Sequence, residues 1–266
     1  MLGAIVGDII GSSYEFEDMR DYDFELIPEG SRFTDDTVMT LAVVNWLICN
    51  YDERPTKTGL IHELQKLGRK YPHSGYGSMF NSWLWCEKPV PYHSFGNGSA
   101  MRVSPVGLFA ETLEETLDLA KISAEVSHNH PEGIKGAQAV AAAVWMAKKR
   151  FSKDEIREYI TRQFGYNLDR KIDDIRLTYQ WTSSCQGSVP EAIIAFLEGK
   201  DFEDVIRKAV SIGGDSDTQA AIAGSIAACV YPIPKWIEKK CYDLLPHELK
   251  DIIYTFYIKL AMRELI

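Results

Sequence analysis

Thr34, Asp35, Asp36 and Thr37 stand together ahead of one apolar helical run, and Asp215, Asp217 and Thr218 stand ahead of another, behind the pair Gly213–Gly214. Residues of these types at a helix start have two uses. Their oxygens accept hydrogen bonds from the first free backbone N–H groups, and a carboxylate complements the positive end of the helix dipole. The same oxygens also coordinate hard cations. For either cluster alone, capping suffices. Two clusters with one order of acids, threonine and helix allow more: if the two helix starts met, four carboxylates would share a site, and an interior does not hold four negative charges unpaired. Two divalent cations would balance them. An all-oxygen donor set without Cys or an obligatory His suits Mg²⁺ or Mn²⁺ and argues against zinc. Two metals bridged by carboxylates sit about 3.5–4 Å apart, the spacing of a dinuclear hydrolytic centre. Asp215 and Asp217 are two apart and share no helix face, so a loop must converge them, and the two glycines give it backbone freedom.

The elements that would position these acids are helical. Apolar residues recur at spacings of three and four, which predicts helices over 36–51, 58–70, 113–126, 134–149, 153–164, 190–198, 202–212, 217–230, 234–244 and 248–263. Pro131 with Glu132, the capping box Ser152 with Glu155, and Ser188 ahead of Pro190 and Glu191 mark starts, while Gly199, Gly213 and Gly214 mark stops. "GAQAVAAAVWMA" and "DTQAAIAGSIAACV" are small nearly all round and predict two central helices of an all-α bundle. No low-complexity linker divides the chain, so residues 1–266 read as one compact domain. The stretches 17–31, 72–97 and 166–186 resist a helical reading, and irregular segments on a rigid frame are where binding sites tend to lie.

Lys plus Arg is 29 against Asp plus Glu at 38, a net charge of −9, which argues against nucleic acid as a direct partner. Five widely spaced cysteines, with no metal-type spacing, read as reduced thiols in a cytoplasmic protein. No apolar stretch is long enough for a membrane span, and Asp8 interrupts the apolar N-terminus. Oligomeric state is not readable from these patterns.

Six motifs together resemble the ADP-ribosylglycohydrolase family, in particular the type that acts on ADP-ribosylated dinitrogen reductase. They are "GAIVGDIIGSSYEF" at 3–16, "FTDDTVMTLAV" at 33–43, "GNGSAMRVSPVG" at 96–107, "SHNHPEGIKGAQAV" at 127–140, "CQGSVPEAIIAFL" at 185–197 and "GGDSDTQAAIAG" at 213–224. The resemblance implies an all-α fold around two Mg²⁺ or Mn²⁺ ions that cleaves the bond between ADP-ribose and an acceptor, an ADP-ribosylated protein or small conjugate. It implies Thr34, Asp35, Asp36, Asp215, Asp217 and Thr218 as metal ligands, with Glu15 acting on water or gating the site beside Asp36 and Asp217. It also implies Phe95, Gly96, Asn97, Gly98 and His128 as substrate contacts. An arginine linkage is preferred on the form of the "YEF" and "GGDSDT" motifs. The alternatives are a non-catalytic ADP-ribose-binding protein, or a Mg²⁺-dependent hydrolase of another ADP-ribose or phosphoester substrate.

Several residues keep simpler readings. Asp8 reads as a structural hydrogen-bonding group within a helix. Glu15 also fits a solvated acid at a helix end. His128 and His130 fit neutral hydrogen bonding at a helix-start turn. Arg102 fits a structural ion pair or a phosphate contact. Cys185 lacks a paired base and is not read as a nucleophile. The aromatics of 76–95 and Trp181 fit either core or a stacking surface for a base.

Overall fold

The computed structural model describes residues 1–49 and 55–263. Its elements are helices: α1 (Leu2–Gly11), α2 (Asp35–Cys49), α3 (Lys57–Lys70), α4 (Ser78–Trp85), α5 (Gly98–Met101), α6 (Ser104–Phe109), α7 (Leu113–Glu125), α8 (Pro131–Lys148), α9 (Lys153–Phe164), α10 (Ile172–Thr178), α11 (Cys185–Glu198), α12 (Phe202–Val210), α13 (Ser216–Ala227), α14 (Lys235–Asp243) and α15 (His247–Arg263). Among the described residues there is no β-strand, only an isolated antiparallel bridge between Gly96 and Ser184. The fold is all-α, as the periodicity predicts. No helix among the described residues is long and apolar enough to cross a membrane.

Helices with one wet face lie where the pattern puts them. α9 spans the expected residues, and its capping box is formed, Ser152 N donating to Glu155 Oε2 at 2.7 Å and Glu155 N to Ser152 Oγ at 3.3 Å. α2 follows its expected range to Cys49; positions 50 and 51 lie outside the described residues. α11 differs. It begins at Cys185 rather than near Pro190, because Cys185 N is held by Phe95 O at 2.9 Å and the turn Ser184–Ser188 is already hydrogen-bonded. Pro190 therefore sits inside the helix. Short helices α4 and α10 also occupy stretches expected to be irregular.

The two small-residue helices are central. Every residue of α13 is buried, and it packs on α1, α11, α12 and α8, while α8 packs on α5, α6, α7 and α9. α1, the helix that holds Asp8, is not among the ranges assigned by periodicity: three glycines in ten residues lower its intrinsic propensity. Those glycines, spaced by four, form one face. A Cβ on Gly3 would lie 2.1 Å from Gly224 O, one on Gly7 2.1 Å from Ala220 O, and one on Gly11 2.4 Å from Ser216 O. The two residue series run in opposite directions, so α1 and α13 lie antiparallel with their backbones touching. The end of α1 thereby meets the beginning of α13.

Because backbone atoms face each of these glycines, added volume cannot be absorbed by a rotamer change. Overpacking of this kind costs about 1–3 kcal/mol, which at about 2–4 °C per kcal/mol in a chain of this size is several degrees. Gly7→Ala is expected to lower the midpoint of a thermal melt followed by helical circular dichroism by that amount. An unchanged midpoint would mean that the α1–α13 contact is looser than described.

Candidate metal centre and ligand cavity

Asp8 on α1 is fully buried and acts as the cap of a different helix. Its Oδ1 accepts from Thr34 Oγ1 at 2.6 Å, and its Oδ2 accepts from Thr34 N at 2.9 Å, Thr37 N at 3.1 Å and the Thr37 hydroxyl. The two threonines of the quartet are thus committed to Asp8, and the two acids between them are left to face a cavity. Asp8 has the structural role its helix position suggests, and it docks the start of α2 on α1.

The other side of α1 delivers the second cluster. Ser216 Oγ donates to Gly11 O at 2.9 Å, placing the first turn of α13 against the end of α1. Thr218 Oγ1 then reaches Asp36 Oδ2 at 3.1 Å, across 182 residues of sequence, and Thr218 N donates to Asp217 Oδ1 at 2.9 Å. Asn97 Nδ2 donates to Asp215 Oδ2 at 2.7 Å and to Ser188 Oγ at 3.0 Å. Glu15 follows α1 closely, and one carboxylate oxygen each from Glu15, Asp215 and Asp217 lie within 4.8 Å of one another. Glu15, Asp35, Asp36, Asp215, Asp217 and Thr218 therefore line one cavity of about 350 Å³.

So many acids in one buried place resist ionisation. Burial, with the charge of Asp217 adding to it, pushes Asp8 and Glu15 up to about 7, the donors from Thr34 and Thr37 opposing the rise at Asp8 and Arg32 opposing it at Glu15. Asp35, Asp36 and Asp215 are held well above the usual carboxylate range by the same two causes. None of these acids is ion-paired with Lys or Arg among the described residues, and Asp36 Oδ1 is buried without a hydrogen-bond partner. An orphaned carboxylate oxygen beside an uncompensated all-oxygen cluster fits a hard divalent cation.

The rest of the cavity wall is of different chemistry. Gly96, Asn97 and Gly98 form part of it, held in place by Asn97 N on Ser183 O at 2.7 Å. His128 lies against them: a Cβ on Gly98 would be 3.1 Å from its Nε2. Arg102 Nη2 donates to Ser127 Oγ at 3.0 Å, and Ser127 Oγ stands 2.8 Å from His128 Nδ1. Arginine cannot accept, so the serine hydroxyl is free to donate to Nδ1, which leaves the imidazole proton on Nε2 beside the glycine loop. Burial and the Arg102 charge hold His128 well below the usual imidazole range, hence neutral. Arg102 itself has no acid partner, contrary to an ion-pair reading; it sits 5.7 Å over the Phe80 ring with Nε unpartnered.

Two expected site residues lie elsewhere. Thr34 is not part of the cavity wall, its hydroxyl being taken by Asp8, and Phe95 is half exposed with its ring 5.5 Å from His130. His130 caps α8, its Nδ1 accepting from Glu132 N at 3.1 Å. Burial pushes the Cys185 thiol up to about 12, in keeping with an inert core cysteine. Among the aromatics, Trp83 is core, whereas Tyr92 and Trp181 line the cavity. Sequence reasoning missed the wall formed by Ser78, Met79 and Phe80. The glycines of "SGYGSMF" ahead of α4 were the available signal, since Gly75 and Gly77 line the cavity too and Gly75 lies 3.2 Å, measured from its would-be Cβ, from Asp35 Oδ1.

A family model described as ADP-ribosylglycohydrolase matches residues 1–263. An uncharacterised protein of Archaeoglobus fulgidus is 29% identical over 98% of this chain and 96% of its own. ADP-ribosylhydrolase ARH3 of Homo sapiens is 27% identical over 91% of this chain and 87% of its own. ADP-ribosylarginine hydrolase Tri1 of Pseudomonas putida is 24% identical over 91% and 73% respectively. A solved structure described as an ADP-ribosylglycohydrolase-related protein complex superimposes with a TM-score of 0.70 at 23% identity, covering 97% of each chain, and so shares the fold.

The raised acids set a pH dependence for the metal-free protein. Between the ordinary Asp value of 3.8 and about 7, folded Asp8 holds a proton that the unfolded chain has released. Glu15 behaves alike from 4.5 to about 7. The folded state binds more protons there, so stability falls as pH rises through that window. Chelator-treated protein is expected to melt at lower temperature at pH 7.5 than at pH 5, and added Mg²⁺ or Mn²⁺ should narrow the gap. A melting point that rises across this range without metal would contradict the electrostatics described.

Proposed function

The chain belongs to the ADP-ribosylglycohydrolase family, and from that premise we propose that residues 1–266 act as one domain that uses two Mg²⁺ or Mn²⁺ ions to cleave the glycosidic bond joining ADP-ribose to an acceptor. The observation that carries this reading is the convergence of Glu15, Asp35, Asp36, Asp215 and Asp217 on one cavity with no Lys or Arg paired to them among the described residues. Relatives named as an ADP-ribosylhydrolase and an ADP-ribosylarginine hydrolase support the bond type.

Asp35, Asp36, Asp215, Asp217 and Thr218 would hold the ions, with Thr34 acting from behind by fixing the turn through Asp8. When bound, divalent cations neutralise these carboxylates and polarise the oxygens of a ligand. The remaining work belongs to the chain. Gly96, Asn97 and Gly98 let a ligand approach the backbone closely, and the Nε2–H of neutral His128 offers a donor to a phosphate oxygen. Asn97 ties that loop to Asp215 directly, so ligand loop and acid cluster move together. Glycosidic cleavage passes through an oxocarbenium-like state, which a carboxylate at the cavity stabilises. Glu15, half-buried and placed beside Asp215 and Asp217, fits that role and can accept the proton of the attacking water. Trp181, exposed and lining the cavity, stands where an acceptor would leave.

Arginine is the proposed acceptor, on the form of the motifs and on the relative named for that linkage. A panel of arginine-, serine- and nucleic-acid-linked ADP-ribose, each assayed with Mg²⁺ or Mn²⁺, is expected to show turnover that releases intact ADP-ribose, fastest on arginine and abolished by chelation. Release of AMP or inorganic phosphate instead would identify a phosphoester hydrolase, and binding without release would identify a non-catalytic module. Asp217→Ala is expected to reduce turnover by more than about 100-fold while helical circular dichroism persists. Full activity in that variant would remove the metal assignment.

A further inference from the structure

Arg20 lies outside every motif singled out in the sequence, yet each of its N–H donors has a partner. Its Nε donates to Asp18 Oδ1 at 2.7 Å, and Nη2 pairs with Asp18 and donates to Tyr179 O at 2.8 Å. Nη1 donates to both Arg176 O and Ile212 O at 2.7 Å. A planar guanidinium has five donors in a fixed fork, so full use of all of them defines the relative placement of what it touches. Here it touches three separate segments of chain.

Each segment leads into the cavity. Asp18, in a left-handed backbone conformation with φ 47°, belongs to the stretch that begins with Glu15. Arg176 and Tyr179 end α10 and precede Trp181. Ile212 precedes the double-glycine turn, φ +80° and +78°, that leads into Asp215 and Asp217. The turn is packed from both sides: a Cβ on Gly213 would lie 2.8 Å from Asp18 Oδ1 and 2.9 Å from Arg20 Nε, and one on Gly214 2.8 Å from the Tyr179 ring. Tyr179 in turn donates from its hydroxyl to Gly187 O at 2.9 Å and accepts from Gln219 Nε2 at 3.0 Å. The Glu15 carboxylate makes no hydrogen bond among the described residues, so the course of its backbone segment is what carries it to Asp215 and Asp217.

We propose that Arg20 is a positioning residue that fixes Glu15 against Asp215 and Asp217 by tying their two backbone segments to the end of α10. The inference rests on the reading of those three acids as part of a cation-binding set. It separates Arg20 from a second clamp on the same stretch. Arg207 Nη1 donates to Tyr22 O at 2.8 Å and Phe24 O at 2.9 Å, holding the stretch where it does not line the cavity. A clamp that only stabilises the fold would behave like Arg207.

The test measures Mn²⁺ binding to the full chain at equilibrium, without substrate, beside thermal melts and steady-state kinetics. Arg20→Gln is expected to weaken Mn²⁺ binding by about 10-fold and to lower kcat by about 10- to 100-fold while KM stays within about threefold. Arg20→Lys, which keeps the charge but not the fork, should fall between the two. Arg207→Gln is expected to lower the melting point while Mn²⁺ affinity stays within about twofold of wild type. Wild-type Mn²⁺ affinity in Arg20→Gln, or an equal loss in Arg207→Gln, overturns the proposal. Should Arg20→Gln not fold, the same criterion applies to Arg20→Lys. If wild type binds Mn²⁺ but releases no ADP-ribose, the proposed activity fails while the Arg20 comparison still reads out through binding. If wild type binds no Mn²⁺, both fall.

Discussion

Positions 3, 7 and 11 of α1 have no room for a side chain against α13, and that exclusion determines the geometry of the cavity. Once Gly3, Gly7 and Gly11 lie on Gly224, Ala220 and Ser216, the register of the two helices is fixed to the residue. The last turn of one must then abut the first turn of the other. Asp8, one residue beyond Gly7 and so on an adjoining face, is aimed at α2 instead. α1 is thus a spacer with two worked faces, and Asp35, Asp36, Asp215 and Asp217 take their places from it.

Concentrating carboxylates in this way opposes folding unless something positive is near. The chain supplies part of that itself. α2 and α13 both begin at the cavity, so their positive dipole ends lie beside the acids; Thr34 N and Thr37 N donate to Asp8, Thr218 N donates to Asp217, and Thr37 and Thr218 add hydroxyl donors. These contributions do not suffice to bring Asp35, Asp36 and Asp215 back to ordinary acidity. The deficit marks the place as one built for a ligand of opposite charge. A site shaped purely for stability would have replaced some of these acids by neutral groups.

The parts of this architecture that could be read from the sequence are those where local chemistry and tertiary role agree. α9 shows its period and its capping box, and both acid clusters announce themselves because Asp, Thr and Gly at a helix start are unusual in that density. The extent of α1 was not legible, because its glycines weaken the local signal while serving a distant partner. α4, only eight residues long, is too short to show a helical period. The start of α11 was set by Phe95, ninety residues earlier, which no local pattern could show. Thr34 illustrates a subtler limit: residue type identifies a hydroxyl at the helix start, but only the fold shows that its proton goes to Asp8.

The pairing of Gly7 with Ala220 also has a temporal side. During synthesis the segment of α1 emerges well before its partner surface on α13, about two hundred residues later in the sequence. A ten-residue stretch with three glycines does not hold a helix by itself. The helix that sets the register of the cavity therefore gains its packing surface only once residues 216–227 have also been made.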